Sequence, residues 1–110
     1  PTGIPNIDIK YGRFITHSDQ TSRRKVVVIG EDLRKNLALP QNPVGEYIEI
    51  NGEWLKIIGL SEPKGALLGF SQDEFALMPF ATMQSLLGHL IQPDIRIQIE
   101  LKSIDNLDQS

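Results

Sequence analysis

The chain has 110 residues, 40% of them hydrophobic, and 11 basic against 14 acidic side chains give a formal net charge of −3. That size suits one soluble globular domain built on a single core, and the absence of cysteine removes disulfides, thiol nucleophiles and four-thiolate zinc sites. A mildly acidic chain whose one basic cluster is Arg23-Arg24-Lys25 carries no footprint for a phosphate backbone, so nucleic acid is not expected as a partner. No apolar stretch approaches the roughly 20 residues of a membrane-spanning helix.

In chain order, Thr16-His17-Ser18-Asp19 reads as the start of a turn, and Arg23-Arg24-Lys25 as the polar approach to a strand. Val26-Val27-Val28-Ile29 is a continuous β-branched run, the pattern of a strand covered on both faces, and Gly30 ends it. Leu33 and Leu37 then lie four apart on a short helix, with acids at its start and bases following, that stops before Pro40.

The sharpest local signal is Asn51-Gly52 between the alternating runs Tyr47–Ile50 and Glu53–Ile58, because a two-residue hairpin turn needs positive φ at both central positions. This predicts that Ile50 pairs with Glu53, Ile48 with Leu55 and Tyr47 with Lys56. Ile48, Ile50, Leu55 and Ile57 then share a core face, while Tyr47, Glu49, half-buried Trp54 and Lys56 share the other.

From Ser61 to Asp73 the periodicity dissolves into a long loop with two glycines and a proline. Leu67, Leu68 and Phe70 in its middle either tuck onto the core or form an apolar contact surface for a partner. Glu74–Met78 reads as a short strand closed by Pro79. Phe80, Met83, Leu86 and Leu87 follow at helical spacing, with Gly88 as the stop. Ile95, Ile97, Ile99 and Leu101 alternate with polar residues, a strand with one wet face. Ser103 is placed to cap a helix over Ile104–Asp108 that has no body, so the sequence reads as a fragment of a longer polypeptide. The expected fold is α+β and β-rich, a mixed or antiparallel sheet with the Asn-Gly hairpin and two or three short helices.

Reactive chemistry finds little support. His17 and His89 are the only histidines and sit in no metal-ligand spacing. Adjacent Asp73 and Glu74 would point to opposite faces of a strand and could not share a substrate. Val28-Ile29-Gly30 before a helix carries one of the three glycines of a dinucleotide-binding turn, and Pro63-Lys64-Gly65 lacks the context of a phosphate loop. No catalytic, cofactor or metal residue is assigned.

Taken together and in order, Gly12-Arg13-Phe14-Ile15, Asp19, Val26–Gly30 with Leu33 and Leu37, Pro43-Val44-Gly45-Glu46-Tyr47-Ile48, Trp54-Leu55-Lys56-Ile57-Ile58-Gly59 and Phe75–Phe80 resemble the MacB-type periplasmic core domain. That family belongs to permease subunits of ABC transporters of the MacB/LolC/FtsX group. The resemblance covers nearly the whole chain. It implies an extracytoplasmic part of an inner-membrane protein, comprising a β-rich inserted subdomain with flanking strands of a βαβ-type subdomain over residues 1–110.

It also implies a non-catalytic module without cofactor that transmits conformational change during export of drugs, antimicrobial peptides or lipoproteins. Its partners would be the cognate ATPase, a second permease and a periplasmic adaptor, with Leu67, Leu68 and Phe70 as the contact. A stand-alone peptide- or small-molecule-binding α+β module, or an enzyme on a similar hairpin-rich core, is the alternative. Membrane helices on either side in the full gene would favour the permease.

Overall fold

The computed structural model describes residues 7–63, 66–67, 70–71, 73–87 and 101–103; for 66–67, 70–71 and 101–103 the description is of the backbone. The elements are β1 (Ile9–Gly12), α1 (His17–Thr21), β2 (Val26–Ile29), α2 (Glu31–Asn36), β3 (Tyr47–Ile50), β4 (Glu53–Ser61), β5 (Ala66–Leu67), β6 (Phe70–Ser71), β7 (Ala76–Leu77), α3 (Phe80–Leu87) and β8 (Leu101–Ser103). Six strands form one mixed sheet in the order β7-β2-β4-β3-β8, with β1 also on β4, and β5 and β6 form a separate two-stranded sheet. The fold is α+β with three short helices, as the sequence predicts.

The β3–β4 hairpin has the predicted register: Tyr47 opposite Lys56, Ile48 opposite Leu55, Ile50 opposite Glu53. Its turn residues adopt φ +51° at Asn51 and +86° at Gly52, the conformation that made Asn-Gly the signal. Ile48, Ile50, Leu55 and Ile57 are all buried in the main core, where Leu33 and Leu37 from the α2 side and Leu86 of α3 cover them. Tyr47 and Lys56 on the opposite face are exposed, and Trp54 is half-buried.

β2 is buried along its length, and its period of two shows in which core each residue joins. Val27 and Ile29 pack into the main core, whereas Val26 and Val28 join Ile58 in a second cluster with Ile9, Ile15 and Leu77 against it. β2 runs parallel to β4, and the register slips between Val27 and Val28, so that Val27 faces Ile57 but Val28 faces Gly59. Alternation puts Ile58 in the second core, and the bulge then returns Leu60 to the main core with Ile57; every residue of β4 from Ile57 to Ser61 is buried.

On its other edge β4 carries two strands in tandem, β3 along Glu53–Lys56 and β1 along Gly59–Ser61. The chains cross closely where Gly12 faces Gly59. A Cβ on Gly12 would lie 2.1 Å from the Ile58 carbonyl oxygen, and one on Gly59 would lie 2.3 Å from that of Arg13. Glycine at both places is a steric requirement of the crossing.

Two expectations are revised. The predicted strand Glu74–Met78 shortens to Ala76–Leu77, because its partner β2 stops at Ile29 and α2 begins at Glu31, so the residues before Ala76 have no strand beside them. The Ser61–Asp73 loop contains the β5–β6 pair, and β4 extends to Ser61. Of the predicted strand at residues 95–102, Leu101 and Lys102 lie in β8, antiparallel to β3. Positions 95–100, Gly88, His89 and the helix expected over 104–108 lie outside the described residues, and Ser103 ends a strand.

The crossing makes a contrast measurable. Gly52→Ala, at an open turn with nothing within 4 Å of the new methyl, should cost about 1 kcal/mol through its positive φ alone. Gly59→Ala should cost about 3 kcal/mol or more, because backbone atoms must move. Urea midpoints of the two variants against the parent check the order.

Candidate functional site

The carboxylate of Asp19 is fully buried and accepts four hydrogen bonds. Thr16 caps α1: its hydroxyl accepts from the Asp19 N–H at 3.2 Å, while its own N–H donates to Asp19 Oδ2 at 2.9 Å. This reciprocal capping box folds the carboxylate back over the first turn. Arg13 then grips it with two donors, Nη1 to Oδ2 at 2.8 Å and Nη2 to Oδ1 at 3.3 Å, and Arg24 Nη1 donates to Oδ1 at 2.8 Å. Four donors meet about four lone-pair positions, so the acceptor capacity is filled.

Both arginine side chains remain about half exposed, so the negative charge alone is taken out of water. The hydrogen bond from Arg13 holds the Asp19 carboxyl well below the usual carboxylate range, helped by the Thr16 N–H and Arg24 and opposed by burial. The same bond raises the Arg13 guanidinium. A saturated carboxylate that stays ionised cannot act as a general acid, and it has no lone pair free to serve as a base.

What it does is hold segments together. Arg13 follows β1, and its N–H donates to Ile58 O of β4 at 2.9 Å. Arg24 leads into β2, and its carbonyl accepts from the Thr82 hydroxyl of α3 at 2.8 Å. Gln20 Oε1 on α1 accepts from the Phe80 N–H at 2.9 Å, which satisfies a donor in the first turn of α3. The exit of β1, the approach to β2 and the start of α3 therefore converge on one five-residue helix. The sequence reading took Thr16–Asp19 as a turn opening; a Thr followed three residues later by an acid was the available sign of a capping box, but nothing local indicated the two arginines.

The corner after β2 is filled by the chain itself. At Gly30, where a nucleotide-binding turn would present its N–H groups, the chain's own backbone fills the space. Gly30 N–H donates to Phe75 O at 3.0 Å and Asp32 N–H to Asp73 O at 3.1 Å. A Cβ on Gly30 would lie 2.2 Å from the Asp73 oxygen. Asp73 is buried there and Glu74 exposed, its Oε2 accepting from Asn36 Nδ2 at 2.7 Å, so the two acids do not form a pair. His17 is the first residue of α1, and among the described residues no three His, Cys, Asp or Glu side chains gather as a metal site.

Two of the three predicted contact residues fall on the small sheet. Leu67 and Phe70 are directly opposed in the β5–β6 pair, and Leu68 lies outside the described residues. A feature the sequence did not reveal lies at α3. Thr82 and Leu86 face inward, leaving Phe80 64% and Met83 38% exposed, and Met83 and Leu86 line an apolar cavity of about 350 Å³. Phe80, Met83, Leu86 and Leu87 share a spacing, but the Thr82 and Phe80 bonds to the α1 region set which of them turn inward.

Comparison with known proteins follows the fold. The family model for the MacB-like periplasmic core domain matches residues 2–110. The macrolide export ATP-binding/permease protein MacB of Chlorobium luteolum is 33% identical over 106 residues, 96% of this chain and 15% of that protein. The ABC transporter permease YknZ of Bacillus subtilis is 30% identical over 97 residues, 88% of this chain and 24% of its own length. The pyoverdine export ATP-binding/permease protein PvdT of Pseudomonas putida is 35% identical over 81 residues, covering 71% and 12% respectively. Among solved structures, the periplasmic region of MacB from Actinobacillus actinomycetemcomitans superposes with a TM-score of 0.60 at 18% identity, over 94% of this chain and 57% of that one. The chain thus spans less than a quarter of these curated relatives.

Asp19→Asn keeps the size and removes the charge that both arginines require, and should cost about 2–4 kcal/mol at neutral pH. The folded carboxyl lies below its unfolded value of about 3.9, so its contribution is complete above that pH and is lost as pH falls toward the folded value. The gap between parent and variant should hold from about pH 7 to about pH 5 and narrow progressively below about pH 4. Urea unfolding across that range tests the sign.

Proposed function

Because this chain belongs to the MacB-like periplasmic core domain family, the extracytoplasmic portion of an inner-membrane ABC transporter permease, we propose that it works as a non-catalytic lever in export. In this reading ATP is hydrolysed elsewhere in the transporter, and the domain passes the resulting motion to a partner or cargo outside the membrane. The observation that carries it is the Asp19 clasp. A buried, saturated carboxylate that ties β1, β2 and α3 together makes these elements move as one body, and packed bodies rotate about hinges instead of deforming continuously.

Several finer statements belong to the proposal. The relatives named for macrolide and pyoverdine export support an export role, with the cargo of this chain drawn from the same broad class of small molecules or from peptides or lipoproteins. A cognate ATPase, a second permease copy and a periplasmic adaptor are the partners. The chain supplies the β-rich inserted subdomain with flanking strands of the βαβ-type subdomain. Leu67 and Phe70 of the β5–β6 pair, together with Leu68, contact the adaptor or cargo: the pair stands in a sheet separate from the one the clasp secures, so it can present residues without disturbing the lever.

The test uses the full-length permease with its ATPase in the membrane. Changing Leu67, Leu68 and Phe70 together to serine should lower export several-fold while leaving basal ATP hydrolysis and the amount of folded protein unchanged. Asp19→Asn should instead uncouple the two, with ATP hydrolysis retained and export lost. Full export by the triple variant removes the proposed contact, and full export by Asp19→Asn removes the lever.

A further inference from the structure

The geometry points to a second site: the cavity framed by α2, α3, the β3–β4 turn and the segment leading into β7 binds a small amphipathic cation. Its volume of about 350 Å³ lies at the lower end of the range for small-molecule pockets, about 300–1,000 Å³. Three of its walls, Leu33, Ile50 and Leu86, belong to the main core and are held in place by packing on the sheet side, so the floor exists before any ligand arrives. Phe75, Met78 and Met83 complete an apolar lining whose thioethers adapt easily to a methylene body.

The polarity of the ligand follows from the mouth. Glu74 lines the cavity, is exposed, and its carboxylate accepts from the neutral amide of Asn36, with no cation paired to it among the described residues. Among the described lining residues there is no Lys, Arg or His, and α3, Phe-Ala-Thr-Met-Gln-Ser-Leu-Leu, carries no charge at all. One anion beside an uncharged hollow selects a molecule with an apolar body and a single positive head. An anion of the same shape would meet Glu74 with the wrong sign, and a neutral one would gain nothing from it. Neither Asp19 nor the arginines bound to it line the cavity, so its charge preference can be tested without touching the clasp.

Both methionines of the sequence, Met78 and Met83, line the cavity, so a methionine methyl-labelled sample reports on it with two NMR signals and no background. The probes are octylammonium, octanol and octanoate, which share one chain and differ in charge. Saturable shifts of both methyls are expected in the millimolar range. Octylammonium should bind tightest and octanoate weakest, about fivefold apart.

Glu74→Gln, an exposed change that leaves the core alone, should compress that spread to below about twofold and leave octanol unaffected. Ala76→Leu, which adds volume at the cavity wall, should abolish binding of all three. If that variant loses its fold in a thermal melt, Glu74→Gln carries the test. Shifts that never saturate, octanoate binding as tightly as octylammonium, a charge preference that survives Glu74→Gln, or binding retained by a folded Ala76→Leu would each overturn the site.

Discussion

Every part of the main sheet depends on β4, whose nine residues must satisfy three neighbours on two edges. β2 takes one edge in parallel, while β3 and β1 divide the other between them. This arrangement demands a bulge at Ile58, where the register with β2 slips, and a glycine at position 59, where β1 crosses at a distance no side chain could tolerate. The same bulge returns Leu60 to the core of Leu55 and Ile57, on the side opposite Ile58. Remove the bulge and the apolar faces of β2 and β4 would no longer agree.

The polar counterpart of that apolar spine is Asp19. A lone buried carboxylate is costly, and this one is kept ionised by two guanidiniums whose own charges remain in water. Desolvation falls on one ion and the attraction of two cations offsets it. The return is geometric: an ion triad together with Thr82 and Gln20 fixes how α3 sits against the strands. In a domain proposed to move as a body, the clasp is where stiffness is set, and the exposed arginine faces keep it soluble without opening it.

Equally informative is what the fold does with positions that look chemically promising. The corner after β2 has the strand–glycine–helix outline that binds nucleotides elsewhere, yet the carbonyls of Asp73 and Phe75 occupy the N–H groups a phosphate would need. The same two bonds carry the β2–β7 register past the end of β2 onto the start of α2, and Glu74 between them lies at the mouth of the apolar cavity. A structural solution at Gly30 thus removes one potential site and creates the charge asymmetry of another.

What could be read from the residues alone was whatever depends on near neighbours in the chain. Asn51-Gly52 set the hairpin turn, the alternation around it set the register and both faces, and the β-branched run at 26–29 identified a strand covered on two sides, each because backbone sterics and period-two burial act within a few residues. The order of short motifs along the chain was enough to suggest the family. Tertiary structure alone decided that β1 would lie across β4 in line with β3, that Arg13 and Arg24 would meet on Asp19, that the 73–75 backbone would close the Gly30 corner, and that Phe80 and Met83 would stay outside while Thr82 and Leu86 went in. Each of those joins residues whose meeting depends on how whole elements pack, and the energy that chooses among such packings is shared across the core instead of being written at any one position.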